Sequence, residues 1–117
     1  MARRNGWSAL FATAFRQSRN AMLLVDDERR PVDANGAYLK LIGHGRHAVI
    51  GHPIYRFVAG GPLASPDEWT AALAAGRFTG EAELLCADGS TVTVQWAATT
   101  EVVTGRRLVL FVALSTS

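Results

Sequence analysis

Val32-Asp33-Ala34-Asn35-Gly36-Ala37-Tyr38 carries the decision between two architectures. Asn-Gly is a strong hairpin turn signal, and it is equally a place where Asn caps a helix. A hairpin here leaves a run of strands. A helix here leaves two short strands, a helical crossover and further strands beyond it. The residues that follow favour the helix: Tyr38, Leu41 and Ile42 recur at i, i+3 and i+4, and Gly43 stands where a helix ends in a left-handed residue. Asn35 is then a helix cap.

Upstream of that cap, Ala21-Met22-Leu23-Leu24-Val25 reads as a buried strand. The polar turn Asp26 to Arg30 and Pro31 closes it, and Val32 to Ala34 supplies a short hairpin partner. Earlier still, Trp7, Leu10, Phe11, Ala14 and Phe15 fall at i, i+3, i+4, i+7 and i+8 with Arg16, Gln17 and Arg19 off the stripe, which is an amphipathic helix. Downstream, Gly45, Gly51 and Pro53 break His44 to Val58 into short helical turns. Ser65-Pro66-Asp67-Glu68 joins a capping Ser, Pro at the first helical position and Glu three residues after the cap. A helix therefore starts there and runs to Gly76 with Trp69 and Leu73 inward. From Gly80 the pattern is strand-like: Glu81 to Ala87, Thr91 to Val102 and Arg107 to Leu114, joined at Asp88-Gly89 and around Gly105. A lone hairpin needs neighbours, so two strands and three predict one five-stranded antiparallel sheet with short helices on one face, an α+β fold.

The bulk composition excludes several classes. A chain of 117 residues has the length of one domain, and 49% apolar with 19% charged residues is a folded globular balance. Apolar runs such as Leu108 to Leu114 fall far short of the ~20 residues of a membrane helix, so no membrane association is expected. Arg16 to Arg19 interrupts any export leader, and the single cysteine, Cys86, can close no disulfide within the chain; both point to the cytoplasm. Net charge is +2, and Arg3-Arg4, Arg29-Arg30 and Arg106-Arg107 are dispersed pairs rather than a basic stripe, so direct nucleic-acid binding is not expected. Asp26-Asp27-Glu28 lies in a turn, Asp67-Glu68 opens a helix, and Gly60-Gly61 lacks the Lys-Ser/Thr of a phosphate cradle. No nucleophile with its base, acid pair or metal set emerges, and a non-enzyme is expected.

The element order resembles that of a PAS domain, a bacterial sensor module, over about residues 8 to 115. The local wording agrees at Asn20 to Asp26, Val32 to Tyr38, Leu41-Ile42-Gly43, Val49 to Pro53, Gly80-Glu81 and Ala87 to Ser90. The resemblance implies an N-terminal dimerisation helix over residues 1–19 and a sensor domain over 20–117. It also implies signalling to an attached output domain, a transcription regulator or a kinase. Flavin-binding relatives carry a reactive Cys in G-x-N-C-R-F-L-Q, which is missing here, and the aligned positions Leu84, Val94 and Leu114 cannot hydrogen-bond a flavin edge. Haem-binding relatives supply a His from the helix that is here Ser65 to Gly76, and that helix has none. His44, His47 and His52 read as loop histidines before they read as metal ligands. No cofactor or metal is predicted.

In this family a ligand sits between the concave sheet face and the short helices, and strand alternation proposes the wall. Val92, Val94, Trp96 and Ala98 share one face, taken as inward; Ala82, Leu84 and Cys86, then Leu108, Leu110, Val112 and Leu114, are placed on the same wall. The candidate pocket is Leu84, Val94, Trp96, Leu110 and Val112, completed by Phe57, Tyr55, Trp69 and Phe78. Its ligand is expected to be small and apolar or aromatic, and not highly charged unless Arg56 turns inward. Trp96 either stacks on that ligand or fills the space itself, with filling favoured, which leaves a ligand-free interaction scaffold as the alternative. Cys86 reads as a buried inert thiol. A homodimer is expected through Trp7, Leu10, Phe11 and Phe15 with the outward Val109 and Phe111. The competing arrangement folds the helix back and buries Val109 and Phe111 within one chain.

Overall fold

Two strands, a long crossover and three strands do close one antiparallel sheet. The computed structural model describes residues 2–115, with side chains described over 9–114. Helix α1 (Ala2–Gln17) precedes β1 (Ala21–Asp26) and β2 (Pro31–Ala34). The crossover carries α2 (Gly36–Ile42), α3 (Arg46–Val49), a 3-10 turn (Ile54–Phe57) and α4 (Pro66–Ala75). Strands β3 (Arg77–Leu85), β4 (Thr91–Val103) and β5 (Arg106–Ser115) follow. The sheet order is β2-β1-β5-β4-β3, so the last strand is inserted between the first hairpin and the β3–β4 pair. The crossover consequently spans from one sheet edge to the other over a single face.

Asn35 explains why Asn-Gly starts a helix here. Its side-chain oxygen accepts from the Tyr38 N–H at 2.9 Å, capping α2, and from the Met22 N–H at 3.0 Å. Its amide nitrogen donates to the carbonyls of Phe15 and Asn20, each at 2.9 Å. With 1% of its surface exposed, the side chain ties the end of α1, the start of β1 and the start of α2 into one knot. Gly43 ends α2 at φ 71°, a left-handed conformation that favours glycine. The reciprocal box at Ser65 and Glu68 opens α4 as its sequence requires: the Ser65 hydroxyl accepts from the Glu68 N–H, and the Glu68 carboxylate accepts from the Ser65 N–H. That bonding holds the exposed Glu68 carboxyl below its ordinary range.

Two boundaries differ from the sequence reading. β3 begins at Arg77, immediately after α4, because Arg77 and Phe78 pair with Thr99 and Ala98 on the long β4. Gly80, which resembles a strand breaker, lies inside that strand. Cys86 stands beyond the end of β3, half-buried, where its backbone N–H donates to Ser90 O across the hairpin turn. It is no part of the strand wall.

The face assignment of β5 also needs correction. β4 pairs Trp96 with Ala113, Ala98 with Phe111 and Thr100 with Val109. Directly opposed residues share a face, so Val109, Phe111 and Ala113 look inward with Val94 and Trp96. Leu108, Leu110, Val112 and Leu114 take the outer face. β5 is apolar on both sides, and an unbroken apolar run contains no alternation from which its inner face could be chosen.

The core forms two clusters on the inner face. The larger joins Leu23 and Val25 of β1, Tyr38 and Ile42 of α2, Val49 of α3 and Val94 of β4. The smaller gathers Trp69 of α4, Ala98 and Val109, with Phe78, Trp96 and Phe111 against it. Val109 and Phe111 thus pack against Trp69 and Leu73 of α4, within the chain's own interior. On α1 itself Phe15 is buried, whereas Leu10 is 59% and Phe11 49% exposed. The side chain of Trp7 lies outside those described. Among the described residues no helix is long and apolar enough to cross a membrane.

Candidate ligand site

Between the two clusters the inner face retains a cavity of about 170 Å³. β3 and β4 supply its sheet wall through Ala82, Leu84, Val94 and Trp96, while Tyr38 of α2 and Trp69 of α4 close it from the helical side. Leu63 and Tyr55 line it and are also exposed, which identifies the mouth.

Gly80 sets the position of Trp96. The two are cross-strand partners, and a Cβ on Gly80 would lie 2.4 Å from Cζ2 and 2.8 Å from Cε2 of the indole. The ring therefore rests on the backbone of β3 in the space a side chain would occupy. Phe78 meets the rings of Trp69, Trp96 and Phe111 edge-on, with centroids 6.0, 5.6 and 6.1 Å away. Edge-to-face contacts suit the ring quadrupoles and hold the four rings in fixed relative orientations. Trp96 does not fill the pocket, contrary to the favoured expectation. Gly80 draws the indole against the sheet, and the cavity remains above it.

The polar groups of this wall are few. The Trp69 indole N–H donates to Asp27 O at 2.7 Å, which fastens α4 to the β1–β2 turn. Tyr38 is buried, and its phenol is pushed up to about 12 by that burial. Among the described residues the buried side-chain polar atom without a hydrogen-bond partner is Thr100 Oγ1, on β4 opposite Val109. Arg29, in the β1–β2 turn, also lines the cavity, and its guanidinium donates to the carbonyls of Ala64 and Ser65.

Of the residues expected at the pocket, Leu84, Val94, Trp96, Tyr55, Trp69 and Phe78 surround this cavity. Phe57 does not: it is buried in the larger cluster, with His44 edge-on at 5.0 Å. Leu110 and Val112 are on the opposite sheet face for the pairing reason given above. Phe111, expected at a dimer contact, lines the cavity instead. Arg56 is exposed and bonds to His52 Nδ1 at 2.9 Å, so the cation at the mouth is Arg29. Tyr38 and Arg29 were missed. The i, i+3, i+4 pattern did place Tyr38 on the inward helix face. Arg29 carried no signal beyond being a turn residue. Among the described residues no group of three or more His, Cys, Asp or Glu side chains could hold a metal ion.

A family model described as PAS fold matches residues 15–116. Among solved structures, the chain is similar to the PAS domain of an HTR-like protein from Haloarcula marismortui at 17% identity, covering 95% of this chain and 98% of that one, with a TM-score of 0.77. It is similar to a PAS domain from a two-component sensor histidine kinase at 13% identity, covering 96% and 99%, with a TM-score of 0.83. A third likeness is to the PAS domain of nitrogen regulation protein NR(II) from Vibrio parahaemolyticus, at 16% identity, 91% and 97% coverage and a TM-score of 0.74. At such identities the likeness is one of fold. A search of curated protein sequences returns no match.

Proposed function

The chain belongs to the PAS fold family, and from that premise we propose that it is a sensory signalling module that binds a small, largely apolar, aromatic molecule. The observation that carries this reading is the cavity: about 170 Å³ and apolar over most of its wall, with the rings of Tyr38, Trp69, Phe78, Trp96 and Phe111 around it. An apolar cavity of ~150 Å³ is enough to take one benzene ring. A planar molecule would bury its ring against these aromatic faces. The volume is below the ~300–1,000 Å³ of pockets for larger cofactors, so a flavin or a haem would require the helical crossover to open.

Signalling follows from the elements that the ligand would touch. Trp69 and Tyr38 belong to α4 and α2, and the cap of α2 is Asn35, which also bonds to the last turn of α1. Occupancy that shifts Tyr38 would be felt at α1, and an output domain attached to the chain, as in histidine kinases or transcription regulators, would receive it there. Catalysis has no part in this account.

A homodimer is the second component. Of the predicted contact residues, Leu10 and Phe11 are exposed on α1 and suit self-association, while Phe15, Val109 and Phe111 are committed to the chain's own interior. We place the contact on the exposed stripe of α1, with residues 1–19 as the dimerisation segment and 20–117 as the sensor. Native mass spectrometry of the freshly purified chain tests both components. A dimer with extra mass that is lost on denaturation supports them; a bare monomer that also takes up no added aromatic compound refutes them.

A further inference from the structure

Resting on the reading of the cavity as a ligand site, we propose that its occupant is a small aromatic monocarboxylate, with its ring inside and its carboxylate on Arg29. Among the described residues that line the cavity, Arg29 alone carries a charge. It is half-buried in the β1–β2 turn at φ 64°, a left-handed conformation that a non-glycine residue adopts only when its surroundings impose it. Those surroundings are visible. Asp26 Oδ1 accepts from the Glu28 and Arg30 N–H groups, each at 2.9 Å, and the Trp69 N–H holds Asp27 O.

The turn thereby delivers the guanidinium to the mouth. Nη1 donates to Ala64 O at 2.8 Å and Nη2 to Ser65 O at 3.2 Å. The guanidinium carbon lies 5.1 Å from the Trp69 ring centre and 5.8 Å from that of Tyr55. Neutral carbonyls and ring faces are its only partners among the described residues, where the salt bridge joins Arg46 to Asp33 instead. Asp27, Glu28, Asp67 and Glu68, the acidic residues close by in the chain, are exposed, and none lines the cavity. A guanidinium has five N–H donors in a planar fork. The two carbonyls engage one on each terminal nitrogen, so donors remain for a carboxylate without loss of the existing bonds. A charge-assisted pair at the mouth and a ring against Phe78 and Trp96 describe one amphipathic molecule.

The test titrates the ¹⁵N-labelled full chain with benzoate and with its neutral near-isostere benzamide, following the Trp69 and Trp96 indole N–H signals. The proposal expects benzoate to bind about tenfold more tightly, a difference of ~1.4 kcal/mol. Arg29→Gln should abolish the benzoate preference, so that the two probes bind alike. Equal binding by the wild type, or a benzoate preference that survives Arg29→Gln, overturns the carboxylate assignment and leaves the aromatic cavity intact. Failure of both probes to bind the wild type overturns the ligand reading as well. Should Arg29→Gln lose benzamide through a loosened turn, Arg29→Lys decides. It keeps the charge without the fork, and the proposal expects a reduced but present benzoate preference; no preference, or an undiminished one, contradicts it.

Discussion

Gly80→Ala is the substitution that most sharply probes the packing beneath the cavity. The added Cβ would stand 2.4 Å from Cζ2, 2.8 Å from Cε2 and 3.1 Å from Cη2 of Trp96. Against the ~3.5 Å of an ordinary carbon contact, the ring is about 1 Å too close. Phe78 and Phe111 flank the indole edge-on, so the free direction is into the cavity. Two effects compete. Alanine in place of glycine reduces the freedom of the unfolded chain and stabilises by ~0.4–1 kcal/mol at a site that accepts it. Overpacking of a fixed aromatic costs about 1–3 kcal/mol. The clash should win, leaving a net loss of about 1–2 kcal/mol and lowering Tm by roughly 4–8 °C. The displaced indole should also weaken benzamide binding. Urea denaturation followed by far-ultraviolet circular dichroism measures the stability in a double-mutant cycle with Trp96→Val. In that second background Gly80→Ala should be neutral or stabilising, giving a coupling of about 1–3 kcal/mol. If the alanine stabilises both backgrounds equally, the indole does not depend on Gly80 and the account of the cavity floor fails.

Other positions give separate expectations. Asn35→Ala removes a cap and leaves the Phe15 and Asn20 carbonyls and the Met22 N–H without their partner, so it should cost about 2–4 kcal/mol in denaturation and raise amide exchange at the end of α1. Ser65→Ala deletes one half of a capping box and should cost about 1 kcal/mol, with no change in benzamide affinity. The buried Tyr38 phenol is pushed from 10.0 to about 12. Its contribution to stability is complete below pH 10, where both states keep the proton. As pH rises from 10 towards 12 the unfolded phenol ionises first, and roughly 2–3 kcal/mol is lost. Tyr38→Phe should flatten this part of the pH–stability curve, and an unchanged curve would place the phenol in water.

Local chemistry made the fold legible. The Asn35 cap, the box at Ser65 and Glu68, the Asp88-Gly89 turn and the alternation of β4 each have one structural meaning once the neighbouring segments are read with them. The site was legible only where alternation was unambiguous. Thr91, Gln95 and Thr99 alternate with Val92, Val94 and Trp96, so β4 disclosed its inner face. β5 has apolar residues on both faces, and its inward set follows only from the register with β4. Trp96 was recognised as inward, but whether it filled or floored the pocket depended on Gly80, sixteen residues away in the chain and opposite it in the sheet. Arg29 was invisible for a similar reason. Its role rests on the carbonyls of Ala64 and Ser65, which only the closed crossover brings to it.

The most direct test of the cavity as a ligand site is a crystal of the wild-type chain soaked in bromobenzene and measured at the bromine absorption edge. An anomalous peak is expected among Leu84, Val94, Trp96 and Phe111, and its loss or displacement in Gly80→Ala crystals. An empty inner face, with bromine found only on exposed surfaces such as Leu10 and Phe11 of α1, would contradict it.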